Sequence, residues 1–219
     1  MYRGVLFDWD GTLADTRKVI LLSFQQALQT INVQTDSEFI ERQIGTGAAQ
    51  TFKIIVQQAG KPCDNTIIKQ LIAEKVKAEI ELAGRVRLFS GARELLEALQ
   101  GKVKLALASM NNQAVIENLL CNLTIENCFN TIVAVEDVKK FKPDPEIFLK
   151  AAAKLQLNPL ECVVVEDSIF GVQAAKNADI ACIAVLTGVY SKPELEKVNP
   201  DLFVKSLDEK EKILNFIIN

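Results

Sequence analysis

Two spacings of apolar residues alternate along the chain. Short continuous runs bounded by turn-forming residues read as buried strands: Val5-Leu6-Phe7, Lys104–Ala108, 131–134, 162–165, 180–186 and Leu202–Val204. Between them, apolar positions three and four apart read as amphipathic helices. Ile20, Leu21, Phe24, Ala27, Leu28 and Ile31 mark one helix over residues 16–30. Others are expected at 37–43, 48–59, Asn65–Leu82, 92–100, 113–120, 145–155 and from Ser168, as its cap, to residue 175. Ser206 and Glu209 have the spacing of a capping box ahead of a last helix.

The order of these elements predicts the fold class. From Asp15 to about Gly84 no strand is expected, only helices punctuated by Gly45, Gly47, Gly60, Pro62 and Gly84. Elsewhere strands alternate with helices, which implies βαβ units and a mostly parallel sheet covered on both faces. The expectation is an α/β core from residues 1–14 and 85–219, with a small helical cap, 15–84, inserted after the first strand. The two connections, near Asp15 and Gly84, would act as hinges.

Composition narrows the chemistry. The chain has 219 residues, 49% of them hydrophobic and 24% charged, a balance ordinary for a globular protein. The net charge is −3 and no basic run exceeds two residues, which argues against a nucleic-acid interface. No uncharged apolar stretch reaches 18 residues, and the first strand begins too early for a signal peptide, so no membrane partner and a cytoplasmic location are expected. The five cysteines, Cys63, Cys121, Cys128, Cys162 and Cys182, show no C-x-x-C spacing and read as small core residues in a reducing compartment. There is no histidine. Triads, zinc sites and general bases built on imidazole are thereby excluded.

What remains for chemistry sits at the strand ends. Asp8 and Asp10 follow the first strand, Ser109 the next, Lys142 the third, and Glu166-Asp167 the fourth. In a doubly wound sheet such ends converge on one crevice. Four acids there raise one another's pKa unless a cation intervenes, and hard oxygen ligands suit Mg2+. Lys142 and Ser109 would then receive an anion, and a carboxylate such as Asp8 can act as a nucleophile toward a phosphoryl group. Each residue also has a plainer use, since Asp and Ser cap helices and turns and Glu166-Asp167 could complement a helix dipole. Asp8 and Asp10, one residue apart, would point to opposite faces of a strand. Both reach one phosphate only if the backbone turns after Asp8, which gives Gly11 a purpose.

The motif set Asp8-x-Asp10-Gly11-Thr12-Leu13, Ser109, Lys142-Pro143-Asp144-Pro145 and Glu166-Asp167-Ser168-x-x-Gly171-Val172 resembles the haloacid dehalogenase superfamily, in the branch with a helical cap after strand one. The resemblance implies a Rossmann-like core and a Mg2+-dependent phosphatase acting on a small phosphorylated metabolite. It implies that Asp8 is the nucleophile and a metal ligand, and that Asp10 is the general acid and base, with its backbone carbonyl on the metal. Asp167 would complete the protein ligands, with Glu166 binding directly or through water. Ser109 would bind a phosphoryl oxygen and Lys142 would neutralise charge. Specificity would come from the cap loop, Gly45, Thr46, Gly47 and Gln50, with Asn111 from the core and basic residues such as Lys53 or Lys75.

Two other readings compete. A sugar-phosphate mutase of the β-phosphoglucomutase type resembles this chain in cap placement, but that branch carries a histidine where Ile20 stands, and an arginine after the cap-loop glycine where this chain reads Gly47-Ala48-Ala49. A non-enzymatic binder that kept the fold would be expected to have lost one of the catalytic positions, and none is degraded.

Overall fold

The architecture is described for residues 1–218 in a computed structural model. Strand β1 (Gly4–Phe7) is followed by a turn and a two-residue strand, β2 (Ala14–Asp15). Helices α1 (Arg17–Gln29), α2 (Ser37–Arg42), α3 (Ala48–Gln58) and α4 (Asn65–Leu82) come next, and then strand β3 (Arg87–Leu88). The alternating part runs α5 (Ala92–Leu99), β4 (Lys104–Ala108), α6 (Gln113–Leu123), β5 (Thr131–Val133) and α7 (Glu146–Lys154). It continues with β6 (Cys162–Glu166), α8 (Ile169–Asn177), β7 (Ala181–Val185), α9 (Lys192–Glu196), β8 (Leu202–Val204) and α10 (Lys210–Ile218).

Among these residues, six strands form one sheet in the order β5-β4-β1-β6-β7-β8, every pairing parallel. Successive side chains on a strand point to opposite faces, and both faces are covered, so the strands read as continuous apolar runs. Val5, Phe7, Leu105, Leu107, Val163 and Val165 join one core cluster with α5, α6 and α10. Leu6, Ala106, Ala108, Cys162 and Val164 join the other with α7 and α8. The strand order reverses at β1, with β4 on one side and β6 on the other, and the crevice outside that point is where such sheets bind ligands. The expected α/β class and parallel sheet are observed.

Helices α1 to α4 have an apolar cluster of their own, built on Ile20, Phe24, Leu28, Ile40, Phe52, Ile55 and Leu71. The Phe24 and Phe52 rings pack at 4.6 Å between centroids. Asp64 starts α4 by accepting from the Thr66 and Ile67 N–H groups at 2.8 and 2.9 Å, which satisfies donors that a helix leaves open.

The structure corrects several expectations. The stretches on either side of the helices pair as an antiparallel ribbon, Ala14 with Leu88 and Asp15 with Arg87, too short to show a periodicity in sequence. Ser206 and Glu209 do not form a capping box: the Ser206 hydroxyl donates to Asp208 at 3.1 Å, and Glu209 accepts from the Lys205 N–H at 2.5 Å. The Ser206 oxygen accepts from the Asp208 N–H, two residues on, at 3.3 Å, and the Glu209 carboxylate is taken by the Lys205 N–H instead of that of Ser206. Cys162 and Cys182 are buried core residues as expected, but Cys121 is exposed, and Cys63 and Cys128 are half-buried at the edges of apolar clusters. Ser168 does cap α8, accepting from the Gly171 N–H at 3.0 Å. No helix among the described residues is long and apolar enough to cross a membrane.

Candidate active site

Pairing of β1 stops at Phe7, and the Asp8 N–H closes the ladder on the Val165 carbonyl at 3.0 Å. The chain then turns tightly. The Leu13 and Ala14 N–H groups both donate to the Trp9 carbonyl at 3.1 Å, and Gly11 takes a φ of +87°. Only glycine adopts that conformation cheaply, and a Cβ there would also collide with the Asp167 carboxylate. The strand has therefore ended before the two acids can be thrown to opposite faces. Trp9, between them, is fully buried in the core.

Lys142 reaches the same crevice from the loop between β5 and α7. Its ammonium lies 2.6 Å from Asp8 Oδ1 and 2.7 Å from Glu166 Oε1, all three side chains buried. The second Glu166 oxygen accepts from the Asp167 and Ser168 N–H groups at 2.8 and 2.7 Å and from the Ser168 hydroxyl at 3.0 Å. Asp167 Oδ1 accepts from the Thr12 hydroxyl at 2.8 Å, and Asp10 Oδ1 from the Thr16 hydroxyl at 2.8 Å. Among the described residues, Asp8, Asp10 and Asp167 thus each keep one carboxylate oxygen with no protein partner, whereas both oxygens of Glu166 are committed.

Four buried acids face one buried ammonium, and the imbalance shows in their protonation. Burial pushes Asp8 up to about 8, opposed by Lys142 and reinforced by Glu166 and Asp10. Burial, then Glu166 and Asp8, raise Asp167 well above the carboxylate range. Asp10 is raised to about 6, first by burial and then by Glu79. For Lys142, burial disfavours the charge, but Asp8 and Glu166 outweigh it and raise its pKa, so it stays an ammonium.

A hard divalent cation fits this set. Carboxylate oxygens of Asp8, Glu166 and Asp167 lie within 4.8 Å of one another, and carboxylate is the ligand Mg2+ takes from proteins. The uncommitted oxygens of Asp8 and Asp167 are suited to direct ligation, while Glu166 is held for orientation or for contact through water. The Asp10 side chain lies outside this cluster and is turned to Thr16.

Ser109 is fully buried just past the end of β4. Its Oγ accepts from the Asn111 N–H at 3.1 Å, and among the described residues its own proton has no protein acceptor. A cavity of about 30 Å³ beside Asp10 is lined by Gly45, Gly47, Lys75 and Asn111, with Ile20 and Gln43. Two of the expected cap-loop residues do not line it: the Thr46 hydroxyl turns back to the Gln43 carbonyl at 2.8 Å, and Gln50 is exposed on α3. A second cavity of about 170 Å³ joins Asp10 and Asp167 to Thr16, Arg17, Gly188 and Tyr190.

Thr12 stands in the first motif without an assigned role, and sequence reasoning missed Thr16, Glu79 and Gly188. Gly188 lies just past the end of β7, and a Cβ there would collide with the Asp167 carboxylate. A glycine offers no side chain at a strand end, so only the approach of Asp167 in space reveals its role.

The family model of haloacid dehalogenase-like hydrolases matches residues 5–185. A fructose-1-phosphate phosphatase of Escherichia coli is 29% identical over 84% of this chain and 96% of its own length. A β-phosphoglucomutase of Bacillus subtilis is 29% identical over 85% of this chain and 84% of its own. The crystal structure of a hydrolase from Pseudomonas syringae superposes with a TM-score of 0.90 at 27% identity, covering 99% of this chain and 100% of that one. With the sheet order and the acids at its switch point, these likenesses establish that the chain belongs to the haloacid dehalogenase-like hydrolases.

Proposed function

We propose that this chain is a Mg2+-dependent phosphatase that cleaves small phosphate monoesters through a phosphoryl group carried on Asp8. The observation that carries this reading is the buried pairing of Asp8 with Lys142, with Asp167 across the same crevice at the end of the parallel strands. Phosphatase names among the relatives support the same chemistry.

A carboxylate must be ionised to attack phosphorus, and burial alone would leave Asp8 protonated near neutral pH. Lys142 opposes that, and its charge also lowers the repulsion an incoming phosphate meets. One Asp8 oxygen attacks the phosphorus as the ester P–O bond breaks. Asp10, oriented by Thr16 and raised to about 6, gives its proton to the departing alkoxide. Ionised Asp10 then takes a proton from water as that water attacks phospho-Asp8, which releases phosphate and restores both acids. Ser109 donates to a phosphoryl oxygen. Asp8, Asp167 and the Asp10 carbonyl, with Glu166 behind them, would hold a Mg2+, which when bound would supply positive charge to the phosphate and compensate the acids. Residues 15–84 act as a cap over this crevice, joined to the core through the paired ribbon of β2 and β3.

The mutase reading is disfavoured by Ile20, which lines the small cavity beside Asp10 with an apolar side chain where that branch carries histidine. p-Nitrophenyl phosphate and a panel of metabolite phosphates, with Mg2+, test the proposal: phosphate release lost in Asp8→Asn supports it. Equal inertness of wild type and variant contradicts it. Conversion of β-glucose 1-phosphate to glucose 6-phosphate rather than to free phosphate would establish the mutase instead.

A further inference from the structure

The small cavity beside Asp10 has one cation in its wall, Lys75 of α4. That ammonium is already spoken for. Lys75 is 4% exposed, and its Nζ donates to Glu79 Oε2 at 2.6 Å, one helical turn on, and to Asn111 Oδ1 at 3.5 Å. It also lies 5.4 Å from the centroid of the Phe24 ring. Asn111 Nδ2 donates to the other Glu79 oxygen at 3.4 Å, which closes a triangle between α4 and the residue that follows the β4 tip. Glu79 itself is 1% exposed. Apart from Asp10, the wall, with Glu79 behind Lys75, therefore presents polar groups whose charges cancel.

The larger cavity is no different. Its cation, Arg17, pairs with Glu41, and its remaining charged lining residues are acids, Asp10, Asp15 and Asp167. Among the described residues, neither cavity offers an unpaired cation to the part of a substrate beyond its phosphate. A carboxylate or a second phosphate brought there would lose its hydration and face acids without a compensating charge. A hydroxyl would not, because it both donates and accepts, and Lys75 and Asn111, which line the cavity and are backed by Glu79, are polar without a net charge to satisfy. Ile20, Phe24 and Ile44 line the same cavity with apolar surface suited to the carbon side of such a group.

We propose that the Lys75–Glu79–Asn111 cluster selects phosphate esters with an uncharged, hydroxylated leaving group, and that Glu79 sets this selectivity by cancelling the charge of Lys75. The inference rests on the phosphatase reading and goes further by naming the substrate class. Discrimination of this kind comes from what the site rejects as much as from what it binds.

The test compares kcat/KM, with Mg2+, for glycerol 1-phosphate and erythritol 4-phosphate against 2-phosphoglycolate and 3-phosphoglycerate, with p-nitrophenyl phosphate as a common reference. Wild type is expected to favour the uncharged leaving groups by at least about 10-fold, within the range that an unpaired buried charge commands. Glu79→Gln keeps the shape but frees the Lys75 charge, and it should shift the ratio toward the carboxylates by about 10-fold or more. The double variant Lys75→Met with Glu79→Met removes both charges and should lose the shift seen in Glu79→Gln, and if Glu79→Gln does not fold the wild-type preference decides alone. A wild-type preference for the carboxylates overturns the inference alone, as does an unchanged ratio in folded Glu79→Gln. Inactivity toward every ester, the nitrophenyl ester included, overturns the phosphatase reading and this inference with it.

Discussion

Lys142 Nζ lies 2.6 Å from Asp8 Oδ1, although 134 positions separate the two residues in sequence. The same ammonium contacts Glu166 at 2.7 Å, so a single lysine bridges the ends of the two central strands, β1 and β6. Removing it leaves two buried carboxylates without a counter-charge. Lys142→Met should lower kcat/KM by ~10³-fold, the order seen when one preorganised stabilising group is lost. The metal-free variant should also melt well below wild type, since breaking a buried pair costs about 3–5 kcal/mol. Steady-state kinetics and a thermal melt check both.

Gly188 presses its backbone against the Asp167 carboxylate. Gly188→Ala should push Asp167 aside and weaken Mg2+ binding by about 10–100-fold, as expected for a residue that orients a ligand. Titration calorimetry with Mg2+ measures it, and an unchanged affinity would remove Asp167 from the ligand set.

Asp8 at about 8 and Asp10 at about 6 are raised above their unfolded values by burial first. A raised carboxyl pKa contributes stability that is complete below the unfolded value, near 4, and is lost as pH rises through the folded value. Without metal, the part of the stability due to these acids should therefore fall between about pH 4 and pH 8. A bound cation compensates the ionised acids, so Mg2+ should raise the melting temperature more at pH 8 than at pH 6. Melting curves at both values, with and without Mg2+, decide the sign.

The Tyr190 hydroxyl donates to the Arg42 carbonyl at 2.6 Å, and the Arg42 guanidinium, 4.8 Å above the Tyr190 ring, pairs with Glu194 at 2.6 Å. These contacts join α2 to the loop and helix after β7. Tyr190→Phe should cost about 1 kcal/mol, or roughly 2–4 °C in melting temperature for a chain this size. If the helical segment is a cap, KM should rise more than kcat falls, and stopped-flow substrate binding should show a faster release.

The sheet and its chemical edge were legible because both are written locally. A parallel strand covered on two faces is a continuous apolar run, and the polar residue ending it is the next letter, as at Phe7-Asp8, Ala108-Ser109 and Val165-Glu166-Asp167. The β2–β3 ribbon was not legible, because two residues carry no period and their partners lie across the whole helical segment. The cavity wall was misjudged for a related reason. Thr46 and Gln50 stand on a glycine loop that reads as facing a ligand, whereas Lys75 reads only as one basic residue of the helical segment and Glu79 carries no signal of its own. Only packing of α4 against Asn111 turns that pair inward. Gly188 escaped because nothing in Thr187-Gly188 tells that an acid from another strand sits against it.

The central claim is that the phosphoryl group passes through Asp8, and Asp10→Asn offers the most direct view of it. In that variant the water that clears phospho-Asp8 has no base, while p-nitrophenyl phosphate still reacts because its nitrophenolate departs without a proton. Acid-quenched Asp10→Asn, mixed with this ester and Mg2+, should carry the mass of one phosphoryl group on the peptide containing Asp8, with a burst of nitrophenolate equal to the enzyme present. A phosphoryl group on any other peptide, or continuous phosphate release at the wild-type rate with none on Asp8, would contradict the account.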